Sequence, residues 1–145
     1  GIIPESVTEL RKRHNLPGMS VLHFGFDDEN EDNPHRPQNL SKSNVVYTGT
    51  HDNDTTMGWW SDANEKRKKR VEEVGLAGET PCETLIRVAM SSPSPLAVVP
   101  LQDILGLGTD ARMNTPGKPD GNWRWKFDWP ELAQGKWGIM QRSKL

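Results

Sequence analysis

Behind the β-branched run Val45-Val46-Tyr47-Thr48 the chain places Gly49-Thr50-His51-Asp52-Asn53-Asp54-Thr55. Hydrogen-bonding groups crowd a connection that needs only a turn and a cap. His51 beside Asp52 sets an imidazole next to a carboxylate. Such a pair can hydrogen-bond neighbouring sugar hydroxyls, and a carboxylate can stabilise an oxocarbenium-like transition state. Two other readings stand beside this one. Asp54 or Thr55 can cap the following helix. A metal is the second, although one His beside Asp and Asn lacks the i, i+4 or multi-His spacing of zinc sites. Trp59-Trp60 follow at once. Aromatic pairs are core residues more often than not, so packing is the favoured reading, but flat indoles also stack on the apolar faces of sugar rings.

The elements that must hold these groups alternate. Pro4 to His14 reads as a helix, with Pro suited to a first helical position, acids early and bases late. Leu16-Pro17-Gly18 stops it, and the apolar run Met19 to Phe26 reads as a mostly buried strand. A long polar loop from Asp27 to Ser43 leads to the second strand at Val45 to Thr48. A helix is expected near Asp62, with Glu65 three residues on. A second starts at Thr80-Pro81-Cys82-Glu83, where Thr caps, Pro opens and Glu closes a capping box. Its Leu85, Ile86, Ala89 and Met90 share one face. Leu96 to Leu101 is the third strand. Helices between strands are the rhythm of βα units around a parallel sheet. Each strand is then followed by carboxylates: Asp27 and Asp28, Asp52 and Asp54, and Asp103. Each acid taken alone is most simply a cap or a solvated loop residue. If the strands are parallel, however, all of them gather at the sheet end where βα barrels build their sites.

Composition narrows the function further. A length of 145 residues suits one domain. Hydrophobic residues make up 33% and mean hydropathy is -0.76, but six of the ten aromatic residues are Trp, which argues for packed structure rather than a disordered tail. No apolar run approaches the ~18 residues of a membrane span. A net charge of -2 removes the electrostatic drive for non-specific nucleic-acid binding. The single Cys82 excludes an internal disulfide framework and multi-Cys zinc sites, and it fits a reducing, cytoplasmic compartment. The opening Gly1-Ile2-Ile3-Pro4 has no initiator Met, basic region or cleavage site, and reads as the interior of a longer chain.

Other motifs carry less. Gly106-Leu107-Gly108-Thr109-Asp110-Ala111 matches a dinucleotide fingerprint on paper, but Asn114-Thr115-Pro116-Gly117 leaves no long helix behind it. The basic run Lys66 to Arg70 precedes Glu72 and Glu73 and reads as a solvated helix face. His14, His23 and His35 show no partner spacing. The sequons at Asn39 and Asn53 mean little without a secretion signal.

Leu16-Pro17-Gly18-Met19-Ser20-Val21-Leu22-His23-Phe24, Tyr47 to Asp54 and Gly58-Trp59-Trp60 together resemble the 4-α-glucanotransferases, also called amylomaltases or disproportionating enzymes. Pro100 to Gly108, Ala111 to Gly117 and Gly121-Asn122-Trp123-Arg124-Trp125 extend the match, in the family's order and over most of the chain. The resemblance implies a (β/α)8 TIM barrel of the α-amylase clan. Residues 1–145 would form its C-terminal portion, an incomplete barrel of strands six to eight with their helices, and no separate domain. It implies retaining transfer of α-1,4-glucan segments from one maltooligosaccharide to another or to glucose, with neither cofactor nor metal.

Of the family's three carboxylates, one maps here. Asp52 takes the position of the transition-state stabiliser at strand seven, with His51 as its sugar-binding neighbour. The nucleophile and the acid/base Glu belong to positions before Gly1, so the chain alone should be inactive and its chemistry completed by residues upstream. Ala111 to Gly117 matches a loop bordering the acceptor side of the cleft, which makes Asn114 a substrate contact. The tail departs from the pattern, since Gln134 to Gly138 lacks an amphipathic closing helix. Two alternatives share part of this pattern. A hydrolase of the same clan would use the same Asp. A non-enzymatic carbohydrate-binding module built on Trp would instead show β-rich segments with spaced aromatics. The partners expected are maltooligosaccharides and α-1,4-glucans, with neither nucleic acid nor membrane.

Overall fold

The computed structural model describes residues 3–27 and 29–130. Asp28, Trp137 and the Gln134 to Gly138 stretch lie outside the described residues. Three strands, β1 (Gly18–Val21), β2 (Asn44–Tyr47) and β3 (Leu96–Val98), form one parallel sheet in the order β1-β2-β3. Met19 sits level with Val45 and Val45 with Leu96. The parallel ladder expected from the helix–strand alternation is present, because each connection contains helix and returns the chain to the same end.

Local chemistry explains the helices. In α1 (Glu5–Arg13), Glu5 lies in the first turn and Arg11, Lys12 and Arg13 in the last. Pro4 occupies the N-cap rather than the first turn, and no residue of α1 is buried. The expected strand over Met19 to Phe26 is corrected: pairing ends at Val21, and α2 (Leu22–Asp27) follows directly. A short apolar run does not distinguish strand from helix. Here Leu22, His23 and Phe26 are buried while Phe24 is exposed, a helical pattern. Helix α3 (Thr56–Ser61) is capped by Thr55, whose hydroxyl accepts from the Gly58 N–H. The helix expected near Asp62 begins later, as α4 (Glu65–Glu72), because Asn64 is its cap and Asp62 ends α3. The capping box at Thr80 and Glu83 opens α5 (Pro81–Met90) as read. The third strand stops at Val98, and Pro100 caps a single turn, α6 (Leu101–Ile104).

The sheet has two unlike faces. On one, Val46 and Ala97 pack against Trp59, Leu85, Val88 and Ala89, so α3 and α5 cover it. On the other, Met19, Leu96 and Val98 remain exposed. A bidentate pair fastens the connection before α5: Arg87 Nε donates to Glu79 Oε1 at 2.7 Å and Nη2 to Oε2 at 2.8 Å. Two Glu79 neighbours, the Leu76 N–H and the Thr84 hydroxyl, donate to Oε2 as well. The Arg87 hydrogen bonds above all hold the Glu79 carboxyl down at about 2.

Candidate functional site

The connection from β2 to α3 crosses the C-terminal end of the sheet as a locked turn. Asn53 Oδ1 accepts from both the N–H and the hydroxyl of Thr50, and the Asn53 N–H returns to the Thr50 carbonyl at 3.1 Å. His51 and Asp52 ride on this turn, both exposed. Asp52 Oδ1 accepts from Asn114 Nδ2 at 2.6 Å and lies 3.3 Å from His51 Nε2. Arg112 braces the same turn: Nη2 donates to the Asp52 carbonyl at 2.8 Å, and Nε donates to the Asn114 carbonyl at 2.8 Å. His51, Asp52 and Asn114, three residues singled out in the sequence, therefore meet at one point.

They border a cleft of about 470 Å³ whose walls include Met19, Tyr47, Val98, Arg112 and Trp123. Its floor is the sheet's uncovered face, and its rim is the ends of β2 and β3. The Trp123 ring sits 5.2 Å from that of His51.

Beneath the turn runs a buried hydrogen-bond network. Asp103 accepts from the Thr48 hydroxyl at 2.6 Å, the Thr56 N–H at 2.7 Å and the Thr56 hydroxyl at 2.8 Å. Because the Thr56 proton is committed to Asp103, its oxygen accepts from His23 Nε2–H, 3.0 Å away. His23 is 1% exposed and stacks on Trp59, with centroids 4.6 Å apart and planes within 4°. Burial, followed by the charge of Arg67, depresses the His23 imidazole to about 3 and keeps it neutral. Burial raises the Asp103 carboxyl against the pull of its three donors. These groups tie the start and end of the His51–Asp52 connection to α2 and α6.

The acids expected to converge thus take different parts. Asp52 borders the cleft. Asp54 lines it but accepts from the Thr109 hydroxyl at 2.9 Å. Asp103 is buried and structural. Asp27 is corrected, since α2 carries it away from the strand end, where it accepts from Trp59 Nε1 and pairs with Arg67 at 2.8 Å. Trp59 is 8% exposed and Trp60 packs on the same core, as the packing reading of the pair expects. Three contributors were missed in the sequence: His23, Arg112 and Trp123. His23 follows a strand and faces polar residues distant in sequence, which no local spacing reveals. Trp123 lies just past the bends at Gly117 and Gly121, and no local spacing marks its ring as part of the site.

Parallel strands with helices on one face, and a cleft at their C-terminal ends, match the arrangement of a section of a βα barrel. The family model for 4-alpha-glucanotransferase matches residues 1–132, and the chain belongs to that family. It is 51% identical over 130 residues to a 4-alpha-glucanotransferase of Synechocystis sp., covering 88% of this chain and 26% of that protein. Against the chloroplastic/amyloplastic enzyme of Arabidopsis thaliana the identity is 48%, over 88% of this chain and 22% of that one. The Thermus thermophilus 4-alpha-glucanotransferase is 46% identical, with 92% and 28% covered. Among solved structures, an amylomaltase from Streptococcus agalactiae in complex with acarbose superposes with a TM-score of 0.90 at 29% identity, covering 98% of this chain and 29% of that one. The chain spans about a quarter of the length of the curated relatives it matches. Among the described residues, no helix is long and apolar enough to cross a membrane.

Proposed function

We propose that residues 1–145 supply the C-terminal portion of a retaining 4-α-glucanotransferase, with β1, β2 and β3 as strands six, seven and eight of its (β/α)8 barrel. Asp52 is the transition-state stabiliser, and His51 and Asn114 contact the sugar. The substrates are maltooligosaccharides and α-1,4-glucans, the compartment is cytoplasmic, and no cofactor takes part. One observation carries this reading: the Asp52 carboxylate sits at the end of β2, with Oδ1 held by Asn114. Among the described residues Oδ2 takes no bond, so it is free to face developing positive charge at an anomeric carbon. Arg112 and Asn53 fix the turn that carries the carboxylate, so little reorganisation accompanies the reaction.

Retaining transfer needs two further carboxyl groups about 5 Å apart, one attacking and one shuttling the proton. No acid of this chain matches either position, so residues 1–145 alone show no transfer. The test is to express the protein from its complete open reading frame, incubate it with maltotriose and resolve the products. Glucose together with longer glucans is expected, and Asp52→Asn lowers kcat by about 10²–10³ while the far-UV spectrum stays unchanged. Near-normal turnover of that variant removes Asp52 from the catalytic list. Disproportionation by the 145-residue chain alone overturns the placement of the missing carboxylates.

A further inference from the structure

Among the described tryptophans, Trp123 is the one that lines the cleft. It is 60% exposed, in contrast to the buried Trp59. Its backbone is in the left-handed region, with φ +59°, a conformation that bulky residues adopt rarely and at a cost. The surrounding loop enforces it. The Trp123 N–H donates to the Met113 carbonyl at 2.7 Å, and the Thr115 N–H donates to Asn122 Oδ1 at 2.9 Å. Gly117 and Gly121, at φ +83° and +86°, supply the bends. A large apolar ring is therefore placed on the cleft wall by a closed loop and not by packing in the core that holds Trp59.

The ring's neighbours indicate its use. Its centroid is 5.2 Å from His51, and His51 touches Asp52. An apolar platform beside hydrogen-bonding groups complements a hexose, whose C–H face is apolar and whose edge carries hydroxyls. We propose that the Trp123 indole stacks on a hexose ring of the glucan, one ring along from the unit held by His51 and Asp52, and so sets the preference for linked over single glucose units. This deepens the functional reading above and rests on it for the orientation of the chain.

The test uses the protein from its complete open reading frame and three forms: wild type, Trp123→Gly and Trp123→Phe. Glycine accepts the left-handed backbone, so its effect reports the lost ring and not strain. Phenylalanine keeps an aromatic face. Trp123→Gly should raise KM for maltotriose about tenfold, the scale of re-exposing one apolar ring face, with kcat changed less than about threefold. Trp123→Phe should recover most of the affinity. Saturation-transfer NMR from aromatic protons to maltotriose should be strong in wild type and weaker in the glycine variant.

An unchanged KM in Trp123→Gly, or an equal loss in both variants, overturns the stacking role while leaving transfer intact. A wild type that binds maltotriose through Trp123 without transferring it overturns the functional reading and leaves the platform standing. A wild type that neither binds nor transfers overturns both.

Discussion

Replacing Gly49 by alanine places a Cβ 2.7 Å from His23 Cε1 and 2.9 Å from Nδ1. Ordinary carbon contacts lie near 3.5–4.0 Å, so ring and turn must part by about 1 Å. The ring cannot yield cheaply, because it is buried against Trp59 and donates to Thr56. The turn must move instead, and it carries His51 and Asp52. Overpacking of this kind costs about 1–3 kcal/mol. His23→Ala alone loses the stacked ring and leaves a cavity, at roughly 3 kcal/mol. Together the two changes should cost less than their sum, by about 1–2 kcal/mol, because the space vacated by the imidazole receives the new methyl. Urea denaturation of wild type, both single variants and the double variant, followed by circular dichroism, measures this coupling. Additivity within about 0.5 kcal/mol would refute the claim that the His23 ring sets the height of the turn.

Asp103→Ala should destabilise by about 2–4 kcal/mol, because the Thr56 N–H and two hydroxyls lose their shared acceptor in the interior. The same denaturation experiment checks it, and a cost below about 1 kcal/mol would mean that the network is not structural. Glu79 makes stability depend on acid. Its folded pKa is lowered from 4.5 to about 2, so its contribution is complete above about 4.5 and drains away as the pH falls through 2. Acid titration should show this loss in wild type and a flatter profile in Glu79→Gln, and identical profiles would reject the Arg87 pair as its source.

Legibility in the sequence followed the range of the forces involved. The capping box at Thr80 and the β-branched strand at Val45 are local, so propensity and spacing reveal them. The start of α4 differs by a few residues from the expectation because Asp62 and Asn64 are both good caps and only packing chooses between them. The run Leu22 to Phe26 is apolar enough for either period, and the sheet ends it where His23 reaches Thr56. Asp27 follows the first strand closely in sequence but not in space, because α2 separates it from the site. His51, Asp52 and Asn114 are singled out by motif resemblance, and their meeting at one point is seen only in the fold. What joins them, the Arg112 guanidinium, spans 60 residues of sequence and leaves no local trace. Trp123 escaped because exposure and backbone hand are tertiary properties.

The bond from residue 123 to the carbonyl of Met113 closes the loop at its base, and this separates two kinds of change. The tip at residues 118–120, between the bends at Gly117 and Gly121, can vary in number or kind while both ends stay anchored, since loop length carries only a weak entropic cost. Arg112 and Asn114 hold the carboxylate from the near end, and Trp123 presents its ring from the far end. On the function proposed above, drift in that tip can therefore reshape how far along a polymer the protein reaches without disturbing the carboxylate. On that reading, selection can tune the reading of length and the chemistry of the bond as separate traits.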